Sequence, residues 1–151
     1  MHRSSGVLLH VSSLPGKYGC GDFGRGATEF IDKAAACGFS LWQVLPFCVP
    51  DRYASPYSSM STFSGNPYFI DLEELHRRGL LTADELAAAE QKSPYACEFE
   101  RLGAERLPLL FRAAARAAQD PDTVAAVDAF IAANPRVAEF CLFMAKRTAN
   151  G

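Results

Sequence analysis

A strand–helix–strand pattern in the first third of the chain is the feature that most limits the possible folds. Residues 6–11 (GVLLHV) are a nearly continuous apolar run of strand length, which is typical of a strand buried on both faces. Residues 27–37 carry apolar side chains at helical spacing, and Gly38 follows as a residue that can close the helix. Residues 41–45 (LWQVL) form a second short apolar run. The two strands are therefore predicted to pair in parallel through a right-handed crossover, which makes the fold class α/β.

A long loop and then a mostly helical region are predicted to follow. Residues 46–66 show no regular element, and a connection this long is more often functional than accidental. The long helical pattern that contains Pro108 is expected to break or kink there, because proline lacks the amide proton that a helix interior needs. The helices are expected over residues 71–78, from the capping box Thr82–Glu85, over residues 97–119, and after the two proline N1 signals Asp120-Pro121 and Asn134-Pro135.

Composition excludes several classes of function. With 151 residues, 49% of them hydrophobic, the chain is long enough for one domain with a core. A formal net charge of −2 gives no general attraction to nucleic acid or anionic membranes, and no apolar stretch reaches the roughly 20 residues of a membrane span. The five cysteines are odd in number and contain no CxxC, so neither a disulfide framework nor a metal site is expected. We expect a cytoplasmic protein with free thiols, no cofactor, and no nucleic-acid or membrane partner.

One glycine pattern suggests a nucleotide hypothesis. Gly19-Cys-Gly21-Asp-Phe-Gly24 matches GxGxxG between a strand and a helix. The dinucleotide fingerprint needs its glycines at the end of the first strand and an acidic residue at the end of the second. Here Gly19 lies well beyond Val11, and the second strand ends in LPF instead. We favour turn-forming glycines, with nucleotide binding as the alternative.

Three sequence blocks carry a resemblance to a known family. They are GVLLHVSSLPGKYGCGDFG, WQVLP and SPYSSMSTFSGNPYFIDLEEL, in this order and with compatible spacing. Together they strongly resemble the N-terminal region of the amylomaltase, or 4-alpha-glucanotransferase, family. The closing FCLFMAKRTANG resembles a further block of the family more weakly, and residues 80–135 contribute little to the resemblance.

The resemblance implies a fold and an activity. The family is built on a (β/α)8 TIM barrel with helical insertions, so residues 1–72 would supply the first β–α–β unit and a substrate-binding loop. Residues 73–151 would form a helical insertion subdomain, with the remainder of the barrel outside this chain. The implied reaction transfers alpha-1,4-glucan segments between maltodextrins, including maltose and maltotriose, by a retaining double displacement. The alternative is a non-catalytic carbohydrate- or nucleotide-binding α/β module.

The aromatic loop in residues 55–72 is where the resemblance places the sugar. A tyrosine offers a flat apolar surface and a hydroxyl group, which suit a glucose ring. By resemblance, Tyr57 is expected to stack on the sugar at the cleavage point with Ser55 as a polar neighbour; the alternative for Tyr57 is a packed loop aromatic. His10 is either a wall of the site or a satisfied barrel residue. Asn66 belongs to the expected substrate-binding set, although fixing the turn that follows it is the favoured role.

No catalytic pair is recognised among the acidic residues of this chain. Retaining transfer needs a carboxylate nucleophile and a carboxylic acid flanking the scissile bond. In the family these groups lie on later strands, beyond residue 151, so no catalytic residue is assigned here and the chain by itself is expected to be inactive. The acids that we considered and set aside are Asp22, Asp51, Asp71, Glu73 and Glu74. Residues 47–54 depart from the glycine-rich turn of many relatives, so no glucan contact is carried over to that segment.

Overall fold

The computed structural model describes residues 3–51, 53 and 55–150 of the chain. Its regular elements are a small sheet near the N-terminus and a set of helices that dominate the rest. The strands are β1 (Gly6–Leu8) and β2 (Leu41–Gln43), and the helices are α1 (Arg25–Ala36), α2 (Leu72–Arg77), α3 (Ala83–Ala88), α4 (Phe99–Ala117), α5 (Pro121–Ala133) and α6 (Pro135–Asn150). Two short 3-10 turns lie at Val11–Ser13 and Pro67–Phe69. The protein is therefore mostly helical, with a partial α/β arrangement at its start.

Strands β1 and β2 pair in parallel, as predicted, with Val7 opposite Trp42. Helix α1 covers one face of the pair, where the rings of Phe30 and Trp42 lie 4.9 Å apart. The prediction that both faces are buried is wrong for the described residues, because Leu8 and Leu41 on the other face are 56% and 58% exposed. A single crossover helix covers only one side of a two-stranded sheet. Both strands are also shorter than the apolar runs at residues 6–11 and 41–45.

The end of α1 follows the predicted chemistry. The helix stops at Ala36, and Cys37 caps it. Gly38 then adopts φ +84°, a left-handed conformation that favours glycine, and its amide donates to the carbonyl oxygen of Ala35 at 2.9 Å. This turn delivers the chain directly into β2.

Helix α4 joins the two hydrophobic clusters of the protein. Its Leu102 packs in the cluster that holds the loop after β1, together with Val11 and Phe69. Its Leu109 packs in a second cluster around Leu72. Between these two positions lies the buried side chain of Arg106, which donates to the carbonyl oxygens of Tyr18 (2.6 Å) and Ile70 (3.1 Å). Helix α4 thereby holds the segment after β1 against the segment before α2.

Most of the predicted helix starts are confirmed. Asp71 accepts from the amides of Glu73 and Glu74, Thr82 and Glu85 form the complete capping box, and Asp120 caps α5. The predicted break at Pro108 is wrong, since α4 continues through that residue, whereas a kink there stays a prediction. Helix α6 begins at Pro135, as expected. The side chain of Asn134, the predicted N-cap of α6, donates from its amide nitrogen to the carbonyl oxygen of Phe130 in α5.

Helices α5 and α6 leave a large apolar surface open. No residue of α5 is buried. The most exposed of the large apolar side chains on these two helices are Val127, Phe130, Leu142 and Phe143.

Within the described part of the chain, none of the helices is both long enough and apolar enough to cross a bilayer.

Candidate functional site

A cavity of about 220 Å³ opens at the carboxyl ends of β1 and β2. Its walls come from four separate segments: the turn after β1, the loop after β2, the second 3-10 turn and the first residue of α4. The lining residues are His10, Ser12, Ser13, Leu45, Pro46, Cys48, Pro50, Pro56, Asn66, Phe69 and Phe99. Two of the four site residues predicted from the sequence, His10 and Asn66, are therefore brought together here.

His10 is held in one orientation by both ring nitrogens. Its Nε2 lies 3.3 Å from the carbonyl oxygen of Pro46, and its Nδ1 lies 2.7 Å from the hydroxyl oxygen of Ser12. A carbonyl oxygen only accepts, so Nε2 carries the proton and Nδ1 accepts from Ser12. The ring also meets Phe69 edge to face at 5.6 Å. His10 therefore lines the cavity and also connects the ends of the two strands, with both of its ring nitrogens hydrogen-bonded.

Asn66 fixes the turn that follows it. Its side-chain oxygen accepts from the amide of Tyr68 at 3.0 Å, and its side-chain nitrogen donates to the carbonyl oxygen of Cys48 at 3.4 Å. Pro67 then occupies the first position of the 3-10 turn. Asn66 therefore sets the far side of the cavity against the loop after β2.

The serines of the long loop bond mainly to the loop itself. The hydroxyl of Ser59 donates to the carbonyl oxygen of Val49 at 2.8 Å, and that of Ser64 donates to the carbonyl oxygen of Ser61 at 3.0 Å. The backbone adds a further link, an antiparallel bridge between Pro50 and Ser59. Loops without regular structure must satisfy their polar backbone groups by such local bonds. The serine-rich composition thus gives a long connection a defined shape.

Ser55 and Tyr57 lie at the edge of the cavity. Pro56, between them, lines the cavity, whereas neither Ser55 nor Tyr57 is among the lining residues. Ser55 is half-buried, and its carbonyl oxygen accepts from the amide of Ser58 at 3.2 Å. Tyr57 is 73% exposed. Its ring consequently has most of its surface available for a ligand.

Two carboxylates lie beside Gly24, at the end of the glycine-rich segment 19–24. Asp22 accepts from the amide of Gly24 at 2.9 Å, next to the first residue of α1. A Cβ atom at Gly24 would lie only 2.5 Å from the carboxylate of Asp71, so the glycine is needed for close approach. Burial, aided by Asp71 and opposed by the Gly24 amide, raises the pKa of Asp22 to about 6. A pyrophosphate here would meet two carboxylates, which disfavours the nucleotide hypothesis.

No acidic residue lines the cavity within the described part of the chain. Asp71 is engaged in capping α2. The carboxylate of Glu74 pairs with Arg77 and Arg78, and the hydrogen bond from Arg78 is the main reason that its pKa is lowered. Among the described residues there is also no group of His, Cys, Asp and Glu arranged to hold a metal ion.

Two lining residues had no signal in the sequence. Phe69 looked like an ordinary apolar residue, but it closes the cavity against the His10 ring. Phe99 begins α4 and reaches the cavity only because α4 packs back on the turn that contains Phe69. Contacts between segments this far apart in sequence leave no local pattern.

Comparisons with known proteins find the same family that the three sequence blocks resemble. A family described as 4-alpha-glucanotransferase matches residues 9–151. The 4-alpha-glucanotransferase of Streptococcus pneumoniae is 42% identical over 115 residues, which cover 76% of this chain and 23% of that protein. The enzyme of the same name from Thermus thermophilus is 37% identical over 153 residues, covering 99% of this chain and 30% of that protein.

A solved structure has the same fold. The amylomaltase from Streptococcus agalactiae, in complex with acarbose, superimposes with a TM-score of 0.92 at 31% identity, covering 98% of this chain and 30% of that one. The chain thus spans less than a third of the length of these relatives. The resemblance to the N-terminal portion of the family is confirmed. The chain belongs to the 4-alpha-glucanotransferase family.

Proposed function

We propose that the cavity and the adjacent Tyr57 form one side of a glucan-binding cleft in a 4-alpha-glucanotransferase. In this proposal β1 and β2 are the first two strands of a (β/α)8 barrel and residues 1–72 supply most of the cleft. Residues 73–151 form a helical insertion, of which Phe99 reaches the cavity. The complete enzyme transfers alpha-1,4-glucan segments between maltodextrins in the cytoplasm. The five free thiols support that location.

The observation that carries the proposal is the position of the cavity. In barrels of this class the active site lies at the carboxyl ends of the strands and on the loops that follow them. His10 follows β1, and the loop that contains Tyr57 follows β2. Both segments meet at the same cavity, into which Asn66 and Phe69 also project.

Tyr57 is the proposed stacking surface for the sugar. A ring packed against the described residues would be mostly buried, but Tyr57 is 73% exposed among them. A glucose ring has a relatively apolar face that matches a tyrosine ring, and its hydroxyl groups can bond to the phenol. Ser55, at the start of the same turn, is the proposed polar neighbour. His10 and Asn66 act as walls, because their own hydrogen bonds already fix them.

The catalytic carboxylates are proposed to come from other parts of the complete enzyme. Retaining transfer requires one carboxylate as nucleophile and one carboxylic acid for the leaving oxygen. The cavity lining contributes apolar, hydroxyl, amide and imidazole groups from the described residues. These groups can orient a sugar, but they cannot form the covalent glycosyl intermediate. This chain therefore binds and positions, and the reacting groups face it across the cleft.

Kinetics of the complete enzyme test the role of Tyr57. Tyr57→Ala should lower kcat/KM for maltotriose disproportionation by about 10–200-fold, the range for losing ~1–3 kcal/mol of contact in a pocket. Tyr57→Phe, which keeps the ring, should retain most of the activity. The matched control is Phe111→Ala, which removes an aromatic side chain that is 70% exposed on α4. Equal kinetics for Tyr57→Ala and Phe111→Ala in folded enzymes would reject the assignment.

A further inference from the structure

A short pair of antiparallel segments closes the long loop after β2. Pro50 and Ser59 form an antiparallel bridge. On one side of this pair the amide of Asp51 donates to the carbonyl oxygen of Ser58 at 2.8 Å. On the other side the carbonyl oxygen of Val49 accepts from the hydroxyl of Ser59 at 2.8 Å. Together these five residues form the loop base, in which the Ser59 side chain supplements the backbone bonds.

Two serine hydroxyls tie the loop base to the chain that follows it. The hydroxyl oxygen of Ser59 accepts from the amide of Ser61 at 3.3 Å and lies 2.9 Å from the carbonyl oxygen of Ser61. The buried hydroxyl of Ser64 accepts from the amide of Val49 at 3.3 Å and donates to the same Ser61 carbonyl oxygen at 3.0 Å. The loop base is thereby fixed against the segment that leads to Asn66, on the far side of the cavity.

The position of Tyr57 depends on the backbone of its turn. The amide of Ser58 donates to the carbonyl oxygen of Ser55 at 3.2 Å, which closes a four-residue turn with Pro56 and Tyr57 at its centre. Proline suits the second position of such a turn because it presets the backbone angle φ. The Tyr57 side chain is 73% exposed, so packing against the described residues does little to hold it. A shift of the loop base would therefore move Tyr57 relative to the cavity, which Pro50 and Pro56 line.

We infer that Ser59 is a positioning residue for the sugar-binding ring of Tyr57. The inference rests on the proposed role of Tyr57 in binding glucan. Without its hydroxyl, the loop base would keep the backbone bond from Asp51 but lose the side-chain link to Val49. The ring would then sample more positions in the free enzyme, and ordering it against the sugar would cost more conformational entropy. Because this cost arises on binding, it should raise KM more than it lowers kcat.

A double-mutant cycle in the complete enzyme tests the inference. Ser59→Ala should lower kcat/KM for maltotriose disproportionation by about 2–10-fold, the range for the net loss of one hydrogen bond. In the Tyr57→Ala background the same substitution should change kcat/KM by less than about 2-fold, because the ring that Ser59 positions is absent. Ser59→Thr, which keeps a hydroxyl group, should retain most of the activity. A purely structural role for Ser59 would lower the activity equally in both backgrounds.

Ser40→Ala is the matched control. The hydroxyl of Ser40 also donates to a backbone carbonyl oxygen, that of Ser5 at 3.3 Å. Ser40 comes just before the first residue of β2, whereas the cavity lies at the other end of the strands. This variant should therefore leave kcat/KM unchanged while losing a hydrogen bond of the same kind.

The possible outcomes separate this inference from the proposed function. Kinetics of Ser59→Ala that match those of Ser40→Ala, or an equal loss with and without Tyr57, would overturn the inference and leave the role of Tyr57 intact. Tyr57→Ala without any effect on kcat/KM would reject both. Circular dichroism establishes that each variant is folded. If Ser59→Ala prevents folding, Ser64→Ala takes its place in the cycle, since it frees the same segment of the loop base.

Discussion

Replacing Arg106 by methionine should destabilise the fold much more than the loss of a surface arginine. Arg106 is 3% exposed, and its guanidinium donates one bond to Tyr18 O and one to Ile70 O. Hydrogen bonds from a charged donor contribute about 1.5–3 kcal/mol each, so two amount to roughly 3–6 kcal/mol. Methionine also removes a charge whose burial is unfavourable, which offsets part of this loss. We expect a net loss of about 2–4 kcal/mol in the free energy of unfolding.

Urea denaturation followed by the fluorescence of Trp42, the single tryptophan, measures this effect. The matched control is Arg25→Met, because the side chain of Arg25 is 83% exposed and pairs with Glu29 one turn along its helix. A surface pair of this kind contributes well under about 1 kcal/mol. If Arg106→Met lowers the urea midpoint no more than Arg25→Met does, the two buried hydrogen bonds do not stabilise the fold as argued.

Asp22 should make the free energy of unfolding fall as the pH rises from 4 to 8. Its pKa is raised from 3.8 to about 6 in the fold, so the stabilisation that it provides is complete below about pH 4 and is lost as the pH rises through 6. Asp22→Asn should flatten this part of the unfolding profile relative to the parent, and an unchanged difference between pH 4 and pH 8 would contradict the assignment. Unfolded without reductant, the chain should titrate five free thiols, and a count of three would reveal a disulfide. Incubated alone with maltotriose, the chain should release no glucose and form no longer maltodextrins, whereas turnover above a mock purification would point to a catalytic pair within it, with Asp22 and Asp51 the first to mutate.

Local patterns in the sequence predicted the features that depend on a few neighbouring residues. The parallel pairing of the strands followed from the apolar runs around one helix, and the capping box at Thr82 followed from its spacing to Glu85. The break at Pro108 failed because packing on both sides of the proline, by Leu102 and Leu109, holds α4 as one helix. The exposure of Leu8 depends on what covers the second face of the sheet, which an apolar run alone cannot show.

The candidate site was predictable in part for the same reason. His10 and the loop after β2 could be placed at one end of the sheet from the strand order alone, because parallel strands bring their carboxyl ends together. The contribution of Phe99 depends on how the start of α4 folds back over the loop after β1, where the amide of Glu98 donates to the carbonyl oxygen of Gly19. That contact is determined by the packing of Leu102 and by the bonds of Arg106, neither of which has a short sequence motif.

A crystal structure of the complete enzyme with bound acarbose tests the central claim most directly. We predict a sugar ring stacked on Tyr57 at van der Waals distance, about 3.5–4 Å between the nearest carbon atoms. The sugar should lie over the cavity bounded by His10 and Asn66, with carboxylates from other parts of the enzyme on its opposite side. Acarbose bound elsewhere, with the Tyr57 ring in solvent and the cavity empty, would contradict the assignment of this surface as part of the glucan-binding cleft.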